Sequence, residues 1–206
     1  MPSGTISTPS GARKSSAALP LAHRLETGRL ILRKPRLEDA PETYRNYAAD
    51  PEVTRYLTWT PHDNVDESAA VLATRLAHWE IGSDFTWCLV PLDGSATVIG
   101  MISAAPDEND ISHWSIGCVL GRPWWNQGFM TEAVGAVLAA VFELPHVAGV
   151  WAYVDEENRA SMRVLEKAGM RREPGAQHWS VCPTIGPDPR ACAVFLAKRG
   201  AMPSES

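Results

Sequence analysis

The stretch Leu120-Gly121-Arg122-Pro123-Trp124-Trp125-Asn126-Gln127-Gly128-Phe129-Met130-Thr131-Glu132-Ala133 decides the fold of this chain. The residues before it, 112–120, have the pattern of a half-buried strand. The residues after it repeat an apolar side chain at the spacing of one helix face, and these are Val134, Val137, Leu138, Val141 and Phe142. The stretch is therefore predicted to be a turn that joins a strand to a helix.

This turn has the features of an anion-binding site. The first backbone N–H groups of a helix lack partners within the helix and carry the positive end of its dipole, so they suit a phosphate group. Gly128 allows a ligand to approach the backbone, and Asn126 is one of the few residue types besides glycine that tolerate a left-handed conformation. The turn lacks the Gly-Lys-Ser/Thr of a P-loop and the three spaced glycines of a dinucleotide fingerprint.

Two longer motifs carry a family resemblance. Residues 125–133, Trp-Asn-Gln-Gly-Phe-Met-Thr-Glu-Ala, resemble the pyrophosphate-binding loop of the GNAT N-acetyltransferases, in the RimJ/RimL-like branch, where the pattern is Trp-Gly-x-Gly-Tyr-x-Thr-Glu-Ala. Residues 158–170 are similar to that family's Asn-x-x-Ser-x-x-Val-Leu-Glu-Lys-x-Gly-Phe element, and residues 25–33 look like its first strand. This chain departs from the pattern at Asn126, where the loop has its first glycine.

The resemblance implies a single GNAT-like domain of the α/β (α+β) class, with a mostly antiparallel central sheet flanked by about four helices. It also implies that the fourth and fifth predicted strands, residues 112–120 and 147–154, splay apart and admit the pantetheine arm of acetyl-CoA. No metal ion is expected. The residues expected to bind this cosubstrate are Gly117, Cys118, Leu120, Trp125, Asn126, Gln127, Gly128, Phe129, Met130, Thr131, Asn158 and Arg159.

The resemblance implies direct attack of an amine on the thioester, so that no nucleophilic Cys or Ser is required. We expect a backbone N–H at or near Cys118 to stabilise the oxyanion, because fixed dipoles aimed at developing charge are usually the largest catalytic contribution. Ser161 aligns with the serine held to hydrogen-bond the departing CoA sulfur in the RimL-like branch. Asn158 aligns with an asparagine that contacts CoA or the acceptor. Each could equally be an ordinary residue at a helix start, Asn158 as an N-cap.

Proton removal is where the sequence departs from the wider family. Many relatives carry a Glu two residues before the strand glycine, and Ser115 stands at that position here. At pH 7 an α-amine with a pKa of ~7.7–8.0 is roughly a tenth neutral, whereas a lysine at ~10.4 is neutral about once in 2,500. That gap is worth ~3 kcal/mol, so a site without a strong base should favour α-amines or other weak amines. His113, Glu132 or water remain candidate bases.

The acceptor is expected to contact aromatic residues between the first two predicted helices, namely Tyr56, Trp59 and His62, together with His113 from the fourth predicted strand. His113 could instead be an ordinary strand residue. Arg122 and Arg159 could bind the 3′-phosphate of CoA or simply be solvated.

The rest of the pattern predicts, in order, a strand at 27–34, a helix from 37 to near 50, a loop at 51–64, a second helix ending before Gly82 and a hairpin of strands 85–91 and 97–105. After the central turn and its helix come strand 147–154 and helix 159–168, which Gly169 should terminate in a left-handed conformation. Two final strands within 171–198 flank the proline-rich loop 182–189, and such loops often line binding sites.

Composition narrows the class of protein. The chain has 206 residues, 45% of them hydrophobic, which is ordinary for one globular domain. A net charge of −5 argues against nucleic acid as the main partner, and no apolar run approaches the ~20 residues of a membrane span. The four cysteines lack metal-site or redox spacing. We predict a disordered tail at 1–22, a domain at 23–200, a short tail at 201–206 and a cytoplasmic location.

The leading functional hypothesis is an acetyl-CoA-dependent N-acetyltransferase that acts on a protein N-terminus or a small amine. Two alternatives stay open. An antibiotic or polyamine acetyltransferase of the same fold would be favoured by a mostly acidic pocket rim. A module that binds acyl-CoA without catalysis would keep its affinity when Ser161 and Asn158 are replaced. A homodimer is expected from the resemblance alone.

Overall fold

The computed structural model describes residues 21–200. The predicted tails lie outside these residues, apart from Leu21 and Ala22. Leu21 is buried in the main hydrophobic core, and the Ala22 carbonyl accepts a hydrogen bond of 3.0 Å from the indole N–H of Trp87. These two residues therefore belong to the folded part of the chain, not to the tail.

One sheet organises residues 21–200. Its strands are β1 (Arg24–Glu26), β2 (Leu30–Arg33), β3 (Phe85–Pro91), β4 (Gly100–Pro106), β5 (His113–Leu120), β6 (Gly149–Asp155), β7 (Arg171–Arg172), β8 (His178–Val181) and β9 (Pro189–Lys198). Their order is β1-β2-β3-β4-β5-β6-β9-β7, with β8 also paired to β9. Every pairing is antiparallel except that of β5 with β6. The predicted mostly antiparallel sheet is confirmed.

Five α-helices flank the sheet: α1 (Ala40–Thr43), α2 (Pro51–Thr54), α3 (Val65–Ile81), α4 (Phe129–Phe142) and α5 (Arg159–Lys167). A 3₁₀ turn at Leu37–Asp39 precedes α1, a π-helical turn at Tyr44–Ala48 follows it, and a second 3₁₀ turn spans Arg122–Trp124. The predicted first helix is thus a series of short helical pieces.

Two predicted segments differ from the structure. The single strand predicted at 27–34 is a tight hairpin, in which Thr27 N–H donates to the Leu30 carbonyl at 2.9 Å. The loop predicted at 51–64 begins with α2, whose N-cap Asp50 accepts a hydrogen bond from Glu52 N–H at 2.9 Å. Pro51 occupies the first helical position, where its missing N–H costs nothing, so it begins a helix as well as ending the one before.

The sheet separates two hydrophobic cores. The larger core lies against α4 and α5, and it buries Val134, Val137, Leu138 and Val141 from the predicted apolar face of α4. The smaller core lies between α1, α3 and the opposite face of the sheet. Strand β3 serves both, because side chains alternate between faces: Trp87 and Leu89 enter the larger core, and Cys88 and Val90 the smaller.

The predicted splay between the fourth and fifth predicted strands is confirmed at β5 and β6. Their parallel ladder covers only His113–Ser115 and Gly149–Trp151. The β4–β5 ladder nevertheless continues to Leu120, and the β6–β9 ladder to Asp155. At the closed end the packing is tight, since a Cβ on Gly149 would lie 3.1 Å from the His113 ring. The sheet is therefore whole at one end of this strand pair and open at the other.

A buried ion pair fixes β2 to the first helical turn. The Arg33 guanidinium donates two hydrogen bonds to the Asp39 carboxylate at 2.8 and 2.6 Å, and Arg36 N–H adds a third at 2.8 Å. Burial alone would raise the pKa of Asp39, but these hydrogen bonds lower it overall.

We expect Asp39→Asn to lower the free energy of unfolding by roughly 3 kcal/mol, because it leaves the Arg33 charge without its partner. Glu80→Gln removes the exposed pair with Lys34 and should have a far smaller effect. Urea denaturation at pH 7 measures both variants. Since the folded pKa of Asp39 is depressed, the wild type should also lose stability as the pH falls below ~3.9, and Asp39→Asn should lack this part of the loss. Equal losses in the two variants would contradict the assignment.

Candidate active site

Two adjoining cavities occupy the open end of the splay. The turn cavity, about 480 Å³, is lined by the start of α4, by α5 and by the segment 52–57. The aromatic cavity, about 410 Å³, is lined by residues 56–59 and 62 and by parts of β4, β5, β6 and β8. The residues common to both are Tyr56, Leu57, Cys118, Val119, Asn158 and Ser161. The two cavities therefore meet beside the unpaired part of β5.

The backbone of β5 offers free hydrogen-bonding groups at this junction. Asp107 N–H donates to the His113 carbonyl at 2.8 Å, and Gly121 N–H donates to the Ile99 carbonyl at 2.9 Å. Because hydrogen-bonded residues alternate along an antiparallel ladder, the odd-numbered residues of β5 turn their backbone groups toward β4. Cys118 turns its N–H and carbonyl toward β6, beyond the point where the β5–β6 ladder ends.

The turn before α4 presents a set of open amides. Gly128 is the N-cap, with φ of 82°, and Asn126 is also left-handed, with φ of 60°. The first hydrogen bond of the helix is from Glu132 N–H to the Gly128 carbonyl at 3.1 Å. Within residues 21–200 the three preceding N–H groups, those of Phe129, Met130 and Thr131, have no acceptor. They are free to bind an anion in the turn cavity.

Glu132 holds this turn in place through the β1–β2 hairpin. Its carboxylate accepts hydrogen bonds from Thr27 Oγ1 at 2.6 Å and from Arg29 N–H and Nε at 2.8 Å each. The Arg29 guanidinium also donates to the Gln127 carbonyl at 2.9 Å and lies 4.7 Å from the centre of the Phe129 ring. Burial raises the pKa of Glu132, but the hydrogen bonds from Thr27 and Arg29 lower it overall. A carboxylate held in this way is a structural clamp, not a general base.

The start of α5 faces both cavities. Asn158 is its N-cap, as predicted, because its Oδ1 accepts a hydrogen bond from Ser161 N–H at 3.1 Å. The Asn158 side-chain amide NH₂ and the Ser161 hydroxyl make no hydrogen bond within the described part of the chain. Both groups remain available to a ligand where the cavities meet.

Aromatic side chains form two walls of the aromatic cavity. Tyr56, Trp59 and His62 form one wall, and the rings of Trp59 and His62 lie 5.0 Å apart. The opposite wall carries the stacked rings of Tyr153 and His178, 3.9 Å apart, which the sequence analysis missed. His113 lies outside both cavities, at the closed end of the splay, where its Nδ1 contacts Asp110 Oδ2 at 2.8 Å. We therefore withdraw His113 as an acceptor contact and as a candidate base.

The two cavities differ in charge. Arg75 and Asp155 line the aromatic cavity, but each is paired, with Asp84 at 2.8 Å and with Arg190 at 2.5 Å. The turn cavity is lined by the cations Arg55, Arg163 and Lys167 and by the single acid Glu52. The aromatic cavity is thus close to neutral and the turn cavity is basic.

Comparison with known proteins agrees with this geometry. The family model of the acetyltransferase (GNAT) domain matches residues 29–171, more than half of the chain. The chain belongs to the GNAT acetyltransferase family. It is 29% identical over 160 residues to the uncharacterized N-acetyltransferase p20 of Bacillus licheniformis, and the match covers 72% of this chain and 83% of that protein.

Solved GNAT structures share the fold. Mycobacterium smegmatis RimJ in complex with CoA-disulfide has a TM-score of 0.74 and 19% identity, with 85% of this chain and 84% of that chain covered. The Microcin C7 self-immunity acetyltransferase MccE, in complex with acetyl-CoA and AMP, has a TM-score of 0.73 and 14% identity, with 84% of this chain and 93% of that chain covered. At these identities the likeness concerns the fold.

The structure brings together most of the GNAT residues that the sequence singled out. Those that line the turn cavity are Cys118, Leu120, Trp125, Asn126, Gly128, Met130, Thr131, Asn158 and Ser161. Gly117 lines the aromatic cavity, but its backbone groups face β4. Three predicted cosubstrate contacts, Gln127, Phe129 and Arg159, are not in the lining of either cavity, although the backbone N–H of Phe129 is one of the open amides of the turn.

Arg122 and Arg159, which could bind the 3′-phosphate of CoA or simply be solvated, lie outside the linings of both cavities. Arg122 is bound to Asp50, with Nε 2.6 Å from Oδ2, and Arg159 faces solvent. Arg163 and Lys167 line the turn cavity instead. The sequence contained the information needed to find Arg163 and Lys167. They are four residues apart in α5, and residues four apart lie on one face of a helix.

Two other classes of site find no support within residues 21–200. No helix there is both long and apolar enough to cross a membrane. The same residues contain no group of three His, Cys, Asp or Glu side chains suited to a metal ion.

We expect Glu132→Gln to lower the free energy of unfolding by roughly 1–2 kcal/mol, since it places an amide NH₂ group against the Arg29 guanidinium and removes a charge-assisted hydrogen bond. Hydrogen exchange of the amides at 127–132 should become faster. Glu143→Gln, on the exposed end of the same helix, is the matched control and should change neither quantity. Unchanged exchange in Glu132→Gln would show that the clamp does not hold the turn.

Proposed function

We propose that this protein is an acetyl-CoA-dependent N-acetyltransferase whose acceptor is the α-amine of a peptide N-terminus or another weakly basic amine. One observation carries the proposal: a basic cavity with open helix amides meets a neutral aromatic cavity beside the unpaired backbone of Cys118. The first cavity suits a nucleotide thioester, and the second suits an acceptor. The N-acetyltransferase name of the Bacillus licheniformis relative supports the same reaction class.

The turn cavity fits the diphosphate of acetyl-CoA. The amides of Phe129, Met130 and Thr131 would donate to phosphate oxygens at the positive end of α4. The helix dipole supplies only ~0.3–1 kcal/mol for each exposed charge, so the charge-assisted hydrogen bonds and the cations Arg163 and Lys167 must supply the rest. The CoA-disulfide and acetyl-CoA of the RimJ and MccE structures are consistent with this cosubstrate.

The pantetheine arm would continue the sheet along the open edge of β5. Its amides require partners on a strand edge, and the backbone groups of Cys118 and the N–H of Leu120 face that way. The Leu120 carbonyl is already used, because the indole N–H of Trp125 donates to it at 2.6 Å. Trp125 therefore positions the turn relative to the end of the strand.

The reaction would take place at the junction of the cavities. The neutral amine attacks the acetyl carbonyl carbon, and the Cys118 N–H donates to the oxygen as it becomes negative. As the new C–N bond forms, the C–S bond breaks, and the proton lost by the attacking nitrogen ends on the departing sulfur. The Ser161 hydroxyl lies in the wall beside Cys118, where it can donate to that sulfur. No covalent enzyme intermediate is involved.

The aromatic cavity is close to neutral, and this charge favours some classes of acceptor over others. A polyamine or aminoglycoside carries several cationic groups, and a site for it would need unpaired carboxylates. Asp155, the one carboxylate in the lining of this cavity, is occupied by Arg190. The neutral aromatic walls therefore favour an acceptor with a single amine and an uncharged neighbouring group, and they disfavour the antibiotic or polyamine alternative.

The direct test is a panel of amines assayed by release of free CoA. Pairs of peptides with free and blocked N-termini, free amino acids, spermidine and an aminoglycoside would be compared at pH 7. Peptides with a free N-terminus or small α-amines should be the best substrates, and blocking the terminus should abolish turnover. Turnover of the blocked peptide through an internal lysine would contradict the proposed acceptor. No turnover of any amine, with CoA still bound, would favour the binding module.

We expect Ser161→Ala to lower kcat by roughly 10–100-fold, because the leaving thiolate loses a hydrogen-bond donor. Its dissociation constant for CoA, measured by calorimetry, should change by less than about twofold, since the loop amides are intact. Ser83→Ala, an exposed serine after α3, is the control. A kcat equal to that of the wild type would leave Ser161 as an ordinary helix residue.

We expect Trp59→Ala to raise the KM for the acceptor about tenfold or more and to leave the KM for acetyl-CoA unchanged, because Trp59 lines only the aromatic cavity. Trp179→Ala removes an exposed tryptophan that lines neither cavity, and it should alter neither KM. A rise confined to the KM for acetyl-CoA would place the acceptor elsewhere. The homodimer and the cytoplasmic location stay predictions.

A further inference from the structure

One histidine in the lining of the aromatic cavity is held in place by a hydrogen bond to a buried hydroxyl group. The Nδ1 of His62 lies 2.8 Å from Oγ of Ser68, a fully buried residue of α3. His62 N–H donates to the Ala48 carbonyl at 2.9 Å, which anchors the backbone. The second ring nitrogen, Nε2, has no hydrogen-bond partner among residues 21–200 and is left to the cavity that the ring lines.

Several other groups that could accept a proton are already engaged. Glu132 is the clamp of the turn, and Asp155 is bound by Arg190 and by Glu157 N–H at 2.9 Å. Burial raises the pKa of the Cys118 thiol to about 11, which leaves it protonated at neutral pH. Ser115 is in the paired part of β5. Besides His62, the lining of the aromatic cavity contains one other histidine, His178.

We propose that His62 is the general base of the acetyl transfer, with Ser68 as its positioning residue. In the reactive tautomer Nδ1–H donates to Ser68 Oγ, which leaves the Nε2 lone pair to take one proton from the ammonium group of the bound acceptor, directly or through one water. The neutral amine then attacks the thioester as described above. The proton on His62 returns to solvent after the products leave. This inference rests on the proposed function and adds the group that performs its proton-removal step.

The surroundings keep the ring neutral in the working pH range. Burial lowers the pKa of His62, and the Glu67 carboxylate has the smaller, opposite effect. In the lining of the same cavity, the charges of Arg75 and Asp155 are compensated by Asp84 and Arg190. The neutral ring has a free lone pair at pH 7, so it can accept a proton directly.

The base strength of His62 suits the proposed acceptor, an α-amine, better than it suits a lysine. Proton transfer from an α-ammonium of pKa ~8.0 to an ordinary imidazole of pKa ~6.5 is unfavourable by about 30-fold, and the lowered pKa of His62 increases this penalty. Transfer from a lysine of ~10.4 is unfavourable by roughly 8,000-fold or more. His62 can thus serve an α-amine with a small penalty and a lysine only with a large one.

The test is the pH dependence of kcat/KM with two acceptors whose amines differ in pKa by about one unit. In the wild type the acid limb should have a midpoint below ~6.5 and should be the same for both acceptors, because it reports His62 and not the amine. His62→Gln should lower kcat/KM at pH 7 by roughly 100-fold or more and lose this limb. Its affinity for CoA should be unchanged, which also verifies that the variant is folded.

Matched variants make the assignment specific. His113→Gln, at the closed end of the splay, should keep both the rate and the limb. Ser68→Ala should lower the rate less than His62→Gln and shift the limb, since it releases the ring without removing it. Imidazole added to His62→Ala should restore part of the rate in proportion to its neutral form.

Four results would overturn the proposal. His62→Gln could keep the wild-type rate and limb. The limb could move with the pKa of the acceptor, which would mean that the enzyme takes up the neutral amine from solution. The limb could disappear in His178→Gln and not in His62→Gln, which would assign the base to the opposite wall. A wild type that acetylates no amine would overturn the proposed function itself, and this result is distinct from an active enzyme that is indifferent to His62.

Discussion

The site depends on one interruption in the sheet: the ladder between β5 and β6 ends at Ser115 and Trp151, while the outer ladders of both strands continue. β5 and β6 are the single parallel neighbours among the described strands, and α4 connects them. Within residues 21–200, β5 beyond Ser115 is paired only with β4, and β6 beyond Trp151 only with β9. The open edge at Cys118 and the two cavities beside it follow from this constraint.

The turn before α4 is held from outside the motif that defines it. Glu132 is tied to Thr27 and Arg29 of the first hairpin, and Arg29 returns to the Gln127 carbonyl. This clamp joins two sequence elements that lie more than a hundred residues apart in the chain and that both resemble the family pattern. The chain departs from the family pattern at Asn126. The turn tolerates this residue because asparagine can adopt the left-handed φ of 60° that is found there.

Local sequence predicted the parts of the site that lie on single elements. The strand, the turn and the apolar face of α4 form one continuous pattern, and the Asn158 cap and Ser161 lie within one helix turn, so all were recovered. Contacts that depend on the register between neighbouring strands were not predicted from the local sequence. Nothing local to His113 shows that it pairs at the closed end, and nothing local to Tyr153 and His178 shows that their rings stack on one wall of the aromatic cavity. The loop predicted at 51–64 begins instead with the helical residues Pro51–Thr54, because a proline can end one helix and also begin another.

A structure with acetyl-CoA bound tests the central claim most directly. The account predicts diphosphate oxygens within hydrogen-bonding distance of the N–H groups of Phe129, Met130 and Thr131, a pantetheine arm paired with the open edge of β5, and the acetyl group between Cys118 and Ser161. A cosubstrate bound elsewhere, with the turn amides facing solvent or the protein's own carbonyl groups, would contradict it.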